Sequence, residues 1–351
     1  MTRQSQQAER FRLNLWRATF ASLLTLLLLW SGGCVPTQGG ESGRTITVYA
    51  FSVMRESLEK EIFPGFAAKW KREHNQEVRF SSSFAGSETI TNQILQGVHA
   101  DVAILSIERD VERLQQGKAV TSDWHKLPYD GIINKTPFVI IVRKGNPYGI
   151  HDFADLARPG VKLIHPDPVS SGGAQWSILA IYGSELIKSE KETGKRDEKR
   201  ALELLQGIWR NVISTPGSAR EARTQFETGY GDAIITYELE GLLLKDAGAP
   251  IEIVVPEATI FSEHPAVLID RDMQGETRPL IEAFLDYLRS DQAQQAFVKY
   301  HFRSVTNEAL NEQNQEFVRI QMPFGVDNFG GWPRAYPEII QQVWREQAQN
   351  K

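Results

Sequence analysis

At 351 residues, with 41% hydrophobic and 24% charged side chains, the chain is long enough for two domains and apolar enough to bury a core. Its formal net charge is −5, and it carries no basic run and no basic segment interleaved with aromatics, which argues against a nucleic-acid partner. The one cysteine, Cys34, excludes an internal disulfide.

The first 34 residues read as an export signal. Arg3, Arg10, Arg12 and Arg17 make a positive start, Ala18 to Trp30 an apolar run, and Ser31-Gly32-Gly33 a small-residue site before Cys34. The apolar run is shorter than the roughly 20 residues of a spanning helix. A lone cysteine after small residues resembles a bacterial lipoprotein site, which implies an acylated Cys34 and a protein held in the periplasm or at the cell surface. Ser31 departs from that pattern, where leucine is usual, and plain cleavage nearby would leave a free thiol. Residues 35–44 are polar and glycine-rich and read as a flexible tether. Without the four arginines and one glutamate of residues 1–33, 35 basic and 43 acidic side chains remain, a net of −8.

From residue 45 onward, strand-like and helix-like runs alternate. Strands are expected over 45–51, 77–82, 100–105, 138–143, 161–165, 211–214, 232–237 and 251–256. The last of these is expected to lead back across the molecule. Helices are expected over 53–73, 88–96, 107–117, 152–157, 176–182, 197–210, 219–228, 238–246, 277–302 and 338–347. Pro64-Gly65 should kink or split the first helix. Phe138 to Arg143 is nearly continuous in apolar residues, as in a strand covered on both faces. The alternation argues an α/β fold with largely parallel sheets.

Four strand-to-helix turns stand out, at Ser52, Ser87, Ser171 and Ala219. The most distinctive is Ser170-Ser171-Gly172-Gly173-Ala174, where small residues open a helix. The first N–H groups of a helix lack intrahelical acceptors, and the helix dipole favours negative charge there, so Ser171, Gly172 and Gly173 suit an oxyanion. The same pattern also serves an ordinary N-cap in a tight turn. Two such turns per lobe, each outside the carboxyl end of a strand, have the layout to converge on one anion in a cleft.

Gly145-Asn146-Pro147, Ile150-His151-Asp152, Pro159-Gly160-Val161, the 170–174 segment, Trp176, Gly231-Asp232 and Phe329-Gly330-Gly331-Trp332 resemble the bacterial periplasmic sulfate-binding proteins, receptors of sulfate and thiosulfate ABC importers. The resemblance spans roughly residues 45–351. It implies a two-lobed type II periplasmic binding fold, each lobe a mostly parallel sheet flanked by helices, with 45–130 and 257–351 in one lobe and 131–256 in the other. It implies no cofactor, no metal and no catalysis, a monomer, contact with the membrane only through the N-terminal anchor, and delivery of the anion to a permease. Carried over residue by residue, the donors are the main-chain N–H groups of Ser52, Ser87, Gly172, Gly173 and Ala219, the Ser171 hydroxyl and the side chain of Tyr237. Three positions depart from the family: Ser52 replaces Asp, Tyr237 replaces Trp, and Glu88 stands where Gly is usual. A carboxylate facing the cleft would repel a dianion, so Glu88 is expected to point to solvent or to its own helix start.

Other readings remain open at this level. Phosphate or molybdate are alternative ligands, and an oxyanion sensor is an alternative role. For an enzyme, the seven histidines show no paired spacing, no phosphate-loop or nucleophile-elbow motif occurs, and His165 suits a structural role. Arg220 and Arg223 either raise the local potential or lie on a solvated face. Trp176 and Trp332 read as packing groups.

Overall fold

A computed structural model of the chain describes residues 43–349 apart from Asp272 and Gln274. The signal, Cys34 and most of the tether lie outside the described residues.

The first strand, β1 (Arg44–Phe51), alternates buried and half-buried positions and pairs in parallel with β2 (Val78–Ala85) and β3 (Val102–Ile104). Helical backbone follows β1 directly: Ser52–Met54 as a 3-10 turn, Arg55–Ser57, a π turn at Leu58–Ile62, then α1 (Phe63–His74). Pro64 therefore does not split the helix. It sits in the first turn of α1, where a missing N–H is tolerated, and the wider π turn before it takes up the misfit. The helices α2 (Ser87–Leu95) and α3 (Glu108–Gln116) complete this part of the chain.

Strand β4 (Ile132–Arg143) begins six residues before the apolar run that announces it, and it is almost wholly buried. β5 (Leu163–Ile164) leads to the 22-residue helix α4 (Gly172–Thr193), then α5 (Glu198–Trp209), β6 (Val212–Ser214), α6 (Ala219–Glu227), β7 (Ala233–Tyr237), α7 (Glu238–Asp246) and β8 (Ile251–Val254). β8 does not lead back across the molecule; it pairs antiparallel with the second half of β4. The crossing is made by β9 (Ala258–Leu268), a strand the sequence pattern conceals. The stretch expected as one helix over 277–302 is two, α8 (Arg278–Tyr287) and α9 (Asp291–Lys299). Ser290 takes extended backbone between them, and its hydroxyl caps Ala293 N–H at 3.4 Å. The short β10 (Met322–Phe324) pairs with β9, and the chain closes with the helix Tyr336–Ala348.

Among the described residues the strand order is β2-β1-β3-β9-β4-β7-β5-β6. β1, β2 and β3 form one parallel group, and β5, β6 and β7 another. Among the described residues the sheet path between the groups runs through β9 and β4, which pair antiparallel from Ile132↔Pro265 to Pro137↔Phe261. Beyond that ladder, Ala266–Leu268 of β9 pairs with β3, and Phe138–Val142 of β4 pairs with β7. Most of the apolar core, from Ile46 in β1 to Trp344 in the last helix, forms one cluster that spans both groups.

Candidate functional site

Each of the small-residue turns lies where a strand of one parallel group gives way to a helix. Ser52 follows β1 and opens the 3-10 turn; Phe51 before it is extended. Ser87 is the first residue of α2, after the extended Gly86. Ser171 is the N-cap of α4, its hydroxyl accepting from Ala174 N–H at 3.3 Å, and Gly172 and Gly173 are the first two helical residues. Ala219 opens α6, capped by Ser218, whose hydroxyl accepts from Glu221 N–H at 3.2 Å. Tyr237 ends β7 and directly precedes α7.

These turns abut. A methyl on Gly86 would lie 2.2 Å from the Ser170 carbonyl oxygen and 2.7 Å from that of Gly217, so the turns before α2, α4 and α6 meet at a position only glycine can fill. A methyl on Gly172 would lie 3.2 Å from the Ser87 Cβ and 3.0 Å from Ser106, and one on Gly173 would lie 2.6 Å from the Tyr237 hydroxyl. Ser52 joins from the side: the 3-10 turn packs on α6, and the Phe51 ring stands 6.1 Å from the Tyr237 ring. All seven of the sequence-derived binding positions therefore gather in one region, with Ser87, Gly172, Gly173 and Tyr237 in its tightest part.

The hydroxyl protons can be followed one at a time. The Ser87 hydroxyl donates to Asp110 at 2.5 Å and accepts Ser106 N–H at 3.0 Å, so it is committed inward. The Ser106 and Tyr237 hydroxyls are 2.8 Å apart, and one must donate to the other, leaving the pair a single proton for anything else. Burial pushes the Tyr237 phenol well above its ordinary range, so it keeps that proton. The Ser171 hydroxyl uses a lone pair on Ala174 N–H and retains its proton.

The charged groups around the turns are paired with one another. Glu88 is buried at 6% exposure, and it points neither to solvent nor to its own helix start. It receives Arg109 at 2.6 Å, the Arg113 guanidinium, and the Gln175 amide of α4 at 2.8 Å. The reason is tertiary: α3 lays two guanidiniums beside a carboxylate that burial alone would penalise. Asp110, fully buried, is pushed up to about 7 by desolvation and then by the Glu88 charge. Across the turns, Arg220 of α6 grips Glu56 with both arms of its guanidinium and Glu240 at 2.8 Å, and Arg223 reaches the other oxygen of Glu240 at 3.1 Å. Arg220 and Arg223 are thus neither free cations nor a solvated face.

Residues 46–303 match the family described as bacterial extracellular solute-binding protein. The chain belongs to that family. It is 33% identical to a sulfate-binding protein of Synechococcus elongatus over 92% of both chains. It is 31% identical to a sulfate-binding protein of Escherichia coli, covering 84% of this chain and 94% of that one. A thiosulfate-binding protein of Escherichia coli is 32% identical over 81% of this chain and 84% of its own. Among solved structures, the sulfate-binding protein SubI from Mycobacterium tuberculosis superposes with a TM-score of 0.76 at 28% identity, over 84% of this chain and 99% of that one.

As a solute-binding protein the chain works outside the cytoplasm, has the two-lobed type II fold, and captures rather than converts its ligand. Two members of its candidate site escape a reading of the sequence. Ser106 sits between β3 and α3, at a fifth strand-to-helix turn whose only signal is its position, since no glycine marks it. Gln175 joins through a side chain one turn into α4. His165 has a packing role: burial holds it down to about 4, its Nδ1–H donates to the Pro166 carbonyl at 2.7 Å, and Nε2 accepts from Ser177. Trp176 donates its indole N–H to the Ser106 carbonyl at 2.6 Å and meets Trp332 edge-on at 4.8 Å, which makes both wall rather than contact residues.

Proposed function

We propose that the chain captures sulfate, or its near relative thiosulfate, in the cleft between its lobes and delivers it to the permease of an ABC importer. The observation that carries this reading is the meeting of Ser87, Gly172, Gly173 and Tyr237 at helix starts, within a frame where Glu88, Arg109, Arg113, Arg220 and Glu240 are already paired. Such a place offers neutral donors, and the carboxylates around it are already engaged by guanidiniums. Sulfate at neutral pH has no proton to give, whereas hydrogen phosphate requires an acceptor for its own. The donors in this reading are the main-chain N–H groups of Ser52, Ser87, Gly172, Gly173 and Ala219, with the Ser171 hydroxyl and one proton from the Ser106–Tyr237 pair. The sulfate- and thiosulfate-binding relatives at over 30% identity support the same choice.

The lobes in this reading comprise residues 45–130 with 257–351, and 131–256, and they meet where β4 pairs with β9. The Glu56–Arg220 and Glu88–Gln175 contacts then tie one lobe to the other. Calorimetric titration of the purified protein with sulfate, thiosulfate, molybdate and phosphate tests the assignment. Sulfate should bind at one site per chain, and tighter binding of phosphate would overturn it. We further propose that Cys34 carries a lipid anchor and that the protein acts as a monomer. Cys34→Ser should move the protein from the membrane fraction to the soluble one; a wild-type protein found soluble and starting after residue 34 would refute the anchor.

A further inference from the structure

The sequence offers no paired histidines, but the fold brings one histidine between two carboxylates far from the cleft. His301 follows α9 and is 4% exposed. Its Nε2 lies 2.7 Å from Asp246 Oδ2, at the last residue of α7, and its Nδ1 lies 3.6 Å from Glu316 Oε2. The three residues bring ligand atoms within 4.8 Å of one another.

The geometry around the ring is what makes the cluster informative. A carboxylate only accepts, so Nε2 facing Asp246 at 2.7 Å is a protonated nitrogen. Nδ1 faces a second carboxylate, that of Glu316. Nδ1 is buried and makes no hydrogen bond among the described residues, and at 3.6 Å the gap to Glu316 exceeds hydrogen-bond length. A buried ring nitrogen without a hydrogen bond, facing an exposed carboxylate just beyond hydrogen-bond length, leaves room for a cation shared by the two. The separation suits one: nitrogen and oxygen ligands about 2.0–2.2 Å from tetrahedral zinc stand about 3.4 Å apart along the edge of the tetrahedron. Asp246 meanwhile occupies the place of the outer carboxylate that fixes a ligating histidine's tautomer and raises its basicity.

We propose that His301 Nδ1 and Glu316 ligate a divalent ion of the zinc class, with Asp246 as the positioning residue and water completing the coordination. Imidazole with carboxylate favours such a borderline ion over calcium or magnesium, which prefer all-oxygen sites. The ion clips the end of α7 to the segment that follows α9. The nine residues of α7 set the site about 13 Å beyond Tyr237, so it is separate from the anion cleft.

The test is titration of the full chain with zinc chloride at pH 7.5, set against His301→Asn and Glu316→Gln. Asparagine suits position 301 because the backbone there is left-handed, φ 64°, a conformation it adopts more readily than most residues. Glu316 is partly exposed, so its amide variant leaves the fold intact. Wild type should bind one zinc per chain that both variants lose or hold at least about tenfold more weakly, and zinc should raise the wild-type melting temperature more than theirs. Asp246→Asn should retain the site with affinity lowered about 10- to 100-fold. Sulfate titration should give the same result in all four proteins, showing that each is folded. Zinc binding unchanged in both variants refutes the site, because any zinc seen would then sit on other side chains. Equal binding of calcium removes the role of His301, and wild type with no zinc bound and a proton on Nδ1 shows that a proton fills the gap instead.

Discussion

Gly173→Ala isolates the close approach of helix α4 to Tyr237. Gly173 has helical backbone at the second position of α4, and alanine is at least as good a helix former, so the helix itself should not suffer. The new methyl would stand 2.6 Å from the Tyr237 hydroxyl and 3.0 Å from two ring carbons. Ordinary contact begins near 3.4 Å, so the phenol must retreat by about 0.8 Å or α4 must shift by a similar amount. Tyr237 is fully buried against Phe138, at a ring distance of 4.7 Å, and has little room to move. Overpacking of this kind costs about 1–3 kcal/mol. A displaced phenol or a displaced Gly173 N–H also loses a hydrogen bond to a charged ligand, about 1.5–3 kcal/mol. Sulfate affinity should therefore fall roughly 10- to 150-fold while the melting temperature changes by only a few degrees. Isothermal titration alongside thermal melting reads both. Wild-type sulfate affinity in Gly173→Ala would show that the ligand does not use the start of α4, and the cleft assignment would fail with it.

Tyr237→Phe should weaken sulfate by about 1 kcal/mol or more, since it removes the phenolic member of a pair that holds one surplus proton; calorimetry showing no loss would shift that role to Ser106 alone. Glu88→Gln should leave sulfate preferred over phosphate by about a hundredfold, because Arg109, Arg113 and Gln175 already occupy the carboxylate; a competition titration in which phosphate binding vanishes with Glu88 would instead make it a phosphate acceptor. His165, fully buried, is held down to about 4 against an ordinary 6.5. Between those values the unfolded chain takes up a proton that the folded one refuses, so folding loses stability as pH falls through that window. The advantage of wild type over His165→Gln in denaturant melts should shrink by about 3 kcal/mol from pH 6.5 to 4, and a constant difference would contradict the burial argument.

The turns were readable because their chemistry is local. Ser171-Gly172-Gly173 announces a helix start through residue size alone, and β4 announces burial through an unbroken apolar run. β9 was not readable, because Ser262, Glu263, His264 and Pro265 interrupt any strand pattern. Three of its buried side chains find partners on β4, not among neighbours in sequence: Thr259 donates to the Phe138 carbonyl at 2.8 Å, Ser262 to that of Thr136 at 2.9 Å, and His264 Nδ1 meets Asn134 at 2.6 Å. Glu88 was misjudged for the same reason. Its orientation is decided by Arg109 and Arg113, 21 and 25 residues away, and by a glutamine on another helix. Ser106 carries its signal in geometry only, as a serine that happens to follow a buried three-residue strand.

Arg220 and Arg223 share Glu56 and Glu240, and Arg109 and Arg113 share Glu88, so none of these four guanidiniums stands bare. A receptor that draws its anion with bare guanidiniums weakens as salt screens them. Here the long-range field belongs to a chain of net −8 beyond residue 33, which repels a dianion at a distance. Added salt then works the other way. It screens the repulsion on approach and leaves the short-range amide dipoles nearly untouched, so uptake in a brackish medium should be no slower, and its first encounter faster, than in fresh water.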